Sequence, residues 1–136
     1  VTGADRSLVG QLLAPTGELI WVDAEPALDA VTAMSGSGPA YVFYFIEAMT
    51  EAGIEMGLAP DQAQRLAIGT FTGASALADS AHEPPAVLRE RVTSKGGTTY
   101  AAISALQQAD VKGQFKTAIR AAQKRAAELG EEFGRG

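Results

Sequence analysis

The sequence predicts an all-α domain, and three observations carry that prediction. Alanine dominates the apolar residues while aromatics make up only 7% of the chain, and alanine combines the best helix propensity with little preference for strands. Apolar side chains recur at three- and four-residue intervals, the spacing of a helix face. Only Glu18-Leu19-Ile20-Trp21-Val22 reads as a strand, and it could pair only with another chain or another domain.

The elements follow in order. Thr2-Gly3-Ala4-Asp5 looks like a cap entering a helix over residues 4–13, with Leu8, Val9, Leu12 and Leu13 at helical spacing. Pro15 and Gly17 stop it. A second helix is predicted from Glu25 or Pro26 to about Ser35, because proline suits a first turn whose N–H has no partner in any case. Gly36-Ser37-Gly38 breaks the chain and Pro39 restarts it, opening a third helix to about Met56. That helix is apolar nearly all round (Tyr41, Val42, Phe43, Tyr44, Phe45, Ile46, Met49, Ile54, Met56). A surface helix shows one apolar stripe, so this one must be surrounded, and in so small a chain a partner subunit is the expected source of cover.

Gly57 ends the third helix and Ala59-Pro60-Asp61 starts a fourth, running to about His82. It is rich in small residues, and Gly69 and Gly73, one turn apart, are read as sites of close helix packing. Glu83-Pro84-Pro85 punctuates before a short helix over residues 86–92. A further helix covers residues 100–108, with Ile103 and Leu106 facing inward, and Asp110 caps a last one to about Phe133. No repeat, low-complexity stretch or long linker divides residues 1–136, which read as one domain.

Bulk properties exclude several function classes. A formal charge of −5 argues against a nucleic-acid partner, which needs a basic surface. The absence of cysteine removes disulfides, thiolate nucleophiles and Cys-based metal clusters, and is compatible with a cytoplasmic location. No segment has the roughly 18 uninterrupted apolar residues of a membrane span, and no signal peptide is visible. The chain opens on Val1 rather than Met, which points to a part of a longer protein, or a processed one.

Most candidate motifs fail on inspection. Gly36-Ser37-Gly38 begins a dinucleotide fingerprint, but a helix precedes it and the sixth position is Tyr41 rather than Gly or Ala. Lys95-Gly96-Gly97 has the wrong order for a phosphate-binding P-loop. His82, the only histidine, would have to serve any catalytic triad or zinc site alone, and its place at an element end reads as exposed and uninvolved; no metal is expected. Lys112, Lys116, Arg120 and Lys124 form a four-spaced face that reads as solvated, with Glu128 continuing it in opposite sign. Glu47, Glu51 and Glu55 mark the one wet edge of the third helix. Glu25 and Asp29 suit the positive end of the second helix.

What remains is Ser94-Lys95-Gly96-Gly97-Thr98-Thr99. Its two glycines let the backbone turn tightly and a ligand approach. The helix start behind it presents unpaired N–H groups, from about Gly97, Thr98 and Thr99, a natural grip for carboxylate or phosphate. Ser94, Thr98 and Thr99 add hydroxyls. The alternative is a plain capped helix with Thr98 or Thr99 as N-cap; the second glycine, which a cap does not need, favours a ligand.

Two stretches together resemble the C-terminal domain of pyrroline-5-carboxylate reductase: Asp29-Ala30-Val31-Thr32-Ala33-Met34-Ser35-Gly36-Ser37-Gly38-Pro39-Ala40-Tyr41, and Val92-Thr93-Ser94-Lys95-Gly96-Gly97-Thr98-Thr99 with its following apolar helix. Glu47, Gly53 and Gly57-Leu58 fit at the family's spacing. The likeness covers essentially the whole chain but not the family's N-terminal nucleotide-binding domain. One departure is Lys95, where the family usually has proline.

The resemblance implies a helical dimerisation domain of the 6-phosphogluconate-dehydrogenase C-terminal-like type, interlocked with a second subunit in a homodimer or a higher homo-oligomer built on dimers. The complete enzyme would reduce pyrroline-5-carboxylate to proline with NADPH or NADH, held mainly by the other domain, so this part alone is not expected to catalyse. Ser94, Gly96, Gly97, Thr98 and Thr99 would bind the substrate, with amides on its carboxylate and the Thr99 hydroxyl on its ring nitrogen. Ser35, Gly36, Ser37, Gly38 and Pro39 would lie near the nicotinamide. The alternatives are a non-catalytic helical oligomerisation module and the helical domain of another NAD(P)-dependent dehydrogenase; neither a nucleic acid nor a membrane is an expected partner.

Overall fold

Local chemistry sets the helix ends. The computed structural model describes residues 2–134, and Val1 lies outside them. Helix α1 (Gly3–Leu13) starts in a capping box: Thr2 Oγ1 accepts from the Asp5 N–H at 3.2 Å, and the Asp5 carboxylate accepts from the Thr2 N–H at 2.8 Å. The Thr2 hydroxyl, and then its amide, hold the Asp5 carboxyl below its ordinary value. The cap therefore stabilises the helix above the ordinary aspartate range and fades as pH falls through the lowered value. Segment Glu18-Leu19-Ile20-Trp21-Val22 forms no strand, because the described residues offer no sheet edge to receive its backbone groups. Its Trp21 instead lies under Arg6 of α1, 5.2 Å from ring centroid to guanidinium carbon.

Helix α2 (Pro26–Val31) has Pro26 in its first turn, as expected, and does not end at Ser35. It runs into a π turn, Thr32–Gly36, in which the Ser37 N–H donates to the Thr32 carbonyl at 2.9 Å. Ser37, itself in helical backbone, is all that separates this turn from α3 (Gly38–Glu55). The predicted break is thus a widened helical turn rather than a loop.

Gly57, at φ +97°, terminates α3. Helix α4 (Pro60–Ser80) follows, two residues shorter than the expected end at His82, which is exposed. The remaining helices are α5 (Pro85–Arg91), α6 (Thr98–Gln108) and α7 (Val111–Gly134). Asp110 caps α7 as expected: it takes φ +47° and its Oδ1 accepts from the Gly113 N–H at 3.2 Å.

The closest packing joins α3 to α4. Gly53, Ala63 and Ala67 are buried there, and a Cβ on Gly53 would stand 2.9 Å from the Ala63 Cβ. Only glycine lets the two backbones approach so far. Gly69 and Gly73, expected to serve this purpose, face open space within the chain. The π turn packs on α7, α2 and α3, and α6 packs on α7. Phe115 of α7 meets Tyr41 and Phe45 of α3 edge-on, at centroid separations of 5.7 and 5.4 Å.

The core is thin for so apolar a chain. Among the described residues the buried hydrophobic ones are Ala33, Ala63 and Ala67. Phe43, Tyr44 and Met56 are 67%, 68% and 78% exposed, and Leu106, expected to face inward beside half-buried Ile103, is 48% exposed. The chain exposes 10,700 Å², against about 6,700 Å² for a compact monomer of 14.1 kDa. The third helix is as short of cover as its composition indicated.

Gly53→Ala is expected to lower stability by about 1–3 kcal/mol through overpacking, read as a drop in the urea midpoint at fixed protein concentration. An unchanged midpoint would mean that α3 and α4 have slack.

Candidate functional site

The segment between α5 and α6 is built by backbone hydrogen bonds at each step. Helix α5 closes with the Thr93 N–H on the Glu90 carbonyl at 3.0 Å and the Thr93 hydroxyl donating to the Arg89 carbonyl at 2.6 Å. The chain then reverses: the Gly97 N–H donates to the Ser94 carbonyl at 3.0 Å, and Gly96 sits at φ +73°. A bond from first to fourth residue with positive φ at the third is the pattern of a type II turn, which demands glycine at that third position. Lys95 occupies its second position, where proline fits best.

Gly97 has a different constraint. A Cβ there would stand 2.5 Å from Ser94 Oγ and 3.2 Å from the Ser94 carbonyl oxygen, so the two glycines serve unlike needs: one a dihedral, the other a contact.

Gly97, rather than Thr98 or Thr99, is the N-cap of α6, in extended backbone at φ −82°, ψ 176° and with no side-chain cap. Its amide is consumed inside the turn. The free donors therefore lie one residue further along than the sequence suggested. Helical pairing begins with the Ala101 N–H on the Gly97 carbonyl at 3.1 Å, and among the described residues nothing accepts from the amides of Thr98, Thr99 and Tyr100. Thr99 is half-buried, while Ser94, Lys95, Gly96 and Thr98 are exposed. Three adjacent N–H groups at the positive end of an eleven-residue helix, flanked by hydroxyls and a lysine, make a donor-rich, electropositive rim suited to an anion.

Residues Ser35, Gly36, Ser37, Gly38 and Pro39 span the π turn and the start of α3. Ser37 and Gly38 are half-buried; Ser35, Gly36 and Pro39 are exposed. A Cβ on Gly36 would meet only Thr32 Cγ2 at 3.7 Å, an ordinary contact, and one on Gly38 would meet nothing within 4 Å. Neither glycine takes a positive φ. The chain's own packing thus gives no reason for glycine at either position, although glycine in helical backbone costs roughly 0.5–1 kcal/mol. The principal neighbour shared by this turn and α6 is α7.

Nearby, Tyr41, Tyr44, Phe45, Val111 and Phe115 line an apolar groove of about 570 Å³. The Tyr41 hydroxyl is buried and has no hydrogen-bond partner among the described residues, a feature that nothing in the sequence signalled. The faces read as solvated are so. Glu47, Glu51, Glu55, Lys112, Lys116 and Arg120 are exposed, and Lys124 and Glu128 approach to 3.8 Å. No group of His, Asp and Glu residues that could hold a metal occurs among the described residues. No helix of the described residues is long and apolar enough to cross a membrane.

Comparison with known proteins decides the family. The family described as pyrroline-5-carboxylate reductase dimerisation matches residues 25–129, which includes both turns. The chain belongs to that family. It is 46% identical over 134 residues to the pyrroline-5-carboxylate reductase of Pseudomonas aeruginosa, covering 98% of this chain and 49% of the relative. The enzyme of Pisum sativum is 40% identical over 128 residues, covering 94% and 46%.

Among solved structures, a pyrroline-5-carboxylate reductase from Coxiella burnetii superposes with a TM-score of 0.90 at 37% identity, covering 95% of this chain and 48% of that one. The Plasmodium falciparum enzyme, solved with NADP bound, gives 0.85 at 28% identity, covering 96% and 49%. The chain spans about half the length of the curated relatives it matches. The all-helical architecture read from the sequence is that of these neighbours over the shared length.

Lys95→Pro is expected to raise stability by about 0.4–1 kcal/mol, because proline pre-sets the backbone that the turn requires, and the Lys95 N–H donates to nothing among the described residues. Thermal unfolding checks this. A lower melting temperature would show that the second turn position does not hold a proline-compatible φ.

Proposed function

We propose that this chain is the dimerising, substrate-binding half of a reductase that converts pyrroline-5-carboxylate to proline with NADPH or NADH. The observation that carries the reading is the row of unpaired Thr98, Thr99 and Tyr100 amides behind the Ser94–Gly97 turn, in a chain whose family is that of the reductase. A five-membered imine bearing a carboxylate needs an anion grip and a contact at its ring nitrogen.

In this reading the Thr98, Thr99 and Tyr100 amides hold the carboxylate, each such bond contributing roughly 1.5–3 kcal/mol once shielded from water. Ser94 and Thr98 add hydroxyls at its edge, while Gly96 and Gly97 keep the approach free of side chains. The Thr99 hydroxyl accepts from the protonated ring nitrogen, and so fixes which face of the C=N bond is presented. Orientation of this kind supplies much of the rate when the electrophile needs no covalent activation.

The residues around the π turn fit a nicotinamide. Gly36 and Gly38 leave space that no atom of this chain fills, at the surface where a flat ring would lie, with Ser35, Ser37 and Pro39 bordering it. The bound nicotinamide supplies the hydride for the imine carbon; the ring nitrogen keeps its proton, giving the amine of proline. The remaining contacts to the cofactor belong to the part of the enzyme that this chain does not include, which leaves the preference between NADPH and NADH to that part.

Exposed surface supports a dimer. The excess of about 4,000 Å² per chain over a compact monomer, about 8,000 Å² for two copies, is as large as obligate, core-like interfaces require, and the name of the family supports it. The open faces at Phe43 and Tyr44 and at Gly69 and Gly73 are where a second copy packs.

Sedimentation of the purified chain should give a dimer or a multiple of one; a stable, folded monomer would refute the interlocked assembly. In the full-length enzyme, Thr99→Ala should lower kcat/KM for pyrroline-5-carboxylate roughly tenfold or more, the loss of one hydrogen bond to a charged group. Unchanged kinetics would remove Thr99 from the site.

A further inference from the structure

Helix α5 has only seven residues, too few to hold a helix by propensity alone. None of the principal helix-packing contacts of the chain involves it, yet the whole Ser94–Gly97 turn hangs from its last residue. One device spans its length. Glu83, which precedes the Pro84-Pro85 entry, and Arg91, the last helical residue, form a two-pronged ion pair, with both guanidinium terminal nitrogens donating to the two carboxylate oxygens. A helical side chain leans toward the N-terminus, which carries the Arg91 fork back along α5 to Glu83. The fork-to-fork geometry fixes direction as well as distance.

Beyond Arg91 the path to the turn leaves little freedom. The Thr93 amide and hydroxyl are tied to the carbonyls of Glu90 and Arg89, and the Ser94 carbonyl to the Gly97 amide. The tilt of α5 therefore sets where Ser94 lies, and through the turn where the α6 amides point. The Thr93 bonds hold this helix at its exit and the ion pair holds it along its side, while its own Val87 and Leu88 are half-buried.

Resting on the substrate reading above, we infer that Glu83 and Arg91 are positioning residues for the carboxylate-binding turn, acting on substrate affinity through the orientation of Ser94 and the α6 N-terminus. Neither need touch the substrate. The pair is partly exposed, at 36% for Glu83 and 62% for Arg91, so salt weakens it. The affinity for the anionic substrate then carries two salt-sensitive parts, one of them internal to the protein and lost with the pair.

The test uses the full-length enzyme and steady-state kinetics with pyrroline-5-carboxylate. Glu83→Gln should raise KM roughly two- to fivefold, the range set by an exposed ion pair, with kcat held and the melting temperature within a degree or so of the parent. The reversed pair, Glu83→Arg with Arg91→Glu, should bring KM back toward the parent value. The rise of KM with added salt should be shallower in Glu83→Gln than in the parent.

A parental KM in Glu83→Gln, or a reversed pair no better than the single variant, would overturn the inference. Thr99→Ala measured alongside separates the two levels. If Thr99→Ala impairs the enzyme and Glu83→Gln does not, the clamp alone fails; if neither variant moves KM or kcat/KM, the substrate reading itself fails.

Discussion

The fold is governed by one mismatch: α3 is apolar nearly all round, its Glu47, Glu51 and Glu55 edge excepted, and its own chain covers only part of it. Helix α4 takes one side, through the glycine–alanine contact at Gly53 and Ala63. Phe115 of α7 takes another, through Tyr41 and Phe45. The side bearing Phe43 and Tyr44 is left open. Burial is worth about 25 cal/mol per Å² of apolar surface, so thousands of square ångströms left in water amount to a large uncollected driving force. Few other features of the chain make sense in isolation. The absence of any large buried side chain among the described residues, the glycines of α4 facing nothing, and a central helix with Phe43 and Tyr44 turned outward all describe one part of a larger core.

That constraint also shapes the candidate site. A binding pocket needs walls, and among the described residues the Ser94–Thr99 turn supplies one at the N-terminus of α6. The residues around the π turn lie at the start of α3, next to the face that must be covered from outside. Both are rigid for local reasons: a type II turn on one side, an i to i+5 hydrogen bond at Ser37 on the other. Both sets of residues thus stand on rigid backbone close to a face that their own chain leaves uncovered. Widened helical turns of the Thr32–Gly36 kind recur at functional positions, since the displaced carbonyls and the altered side-chain register are costly to keep without a use.

The glycines separate into classes that their letters conceal. Gly96 needs a positive φ, Gly97 needs room beside Ser94, and Gly53 needs room beside Ala63. Gly36, Gly38, Gly69 and Gly73 answer to no close contact or positive φ among the described residues. The first three meet needs inside the chain, and the packing of the described residues asks nothing of the others. Lys95 is the complementary case: a residue of ordinary flexibility at the one turn position where a stiffer residue fits.

Features that depend on near neighbours could be read from the residues alone. The Thr2 cap, Pro26 in a first turn, the stop at Gly57 and the Asp110 cap each involve residues within a few positions of one another, and each appears where its chemistry puts it. The all-helical class and the uncovered third helix were legible for the same reason, since periodicity is a local property. Both turns stood out in the sequence through their residues and their resemblance to a family.

The packed fold settled what depends on distant contacts or on fine backbone geometry. It made Gly53 rather than Gly69 and Gly73 the close-packing glycine, because that choice belongs to the crossing of α3 and α4. It left Glu18 to Val22 without a strand, because a ladder needs an edge to join. It shifted the free amides of the candidate site from Gly97 onward to Tyr100, because the turn consumes one of them. It also joined Glu83 to Arg91 across α5, a pairing that required the helix to exist before either charge had a partner.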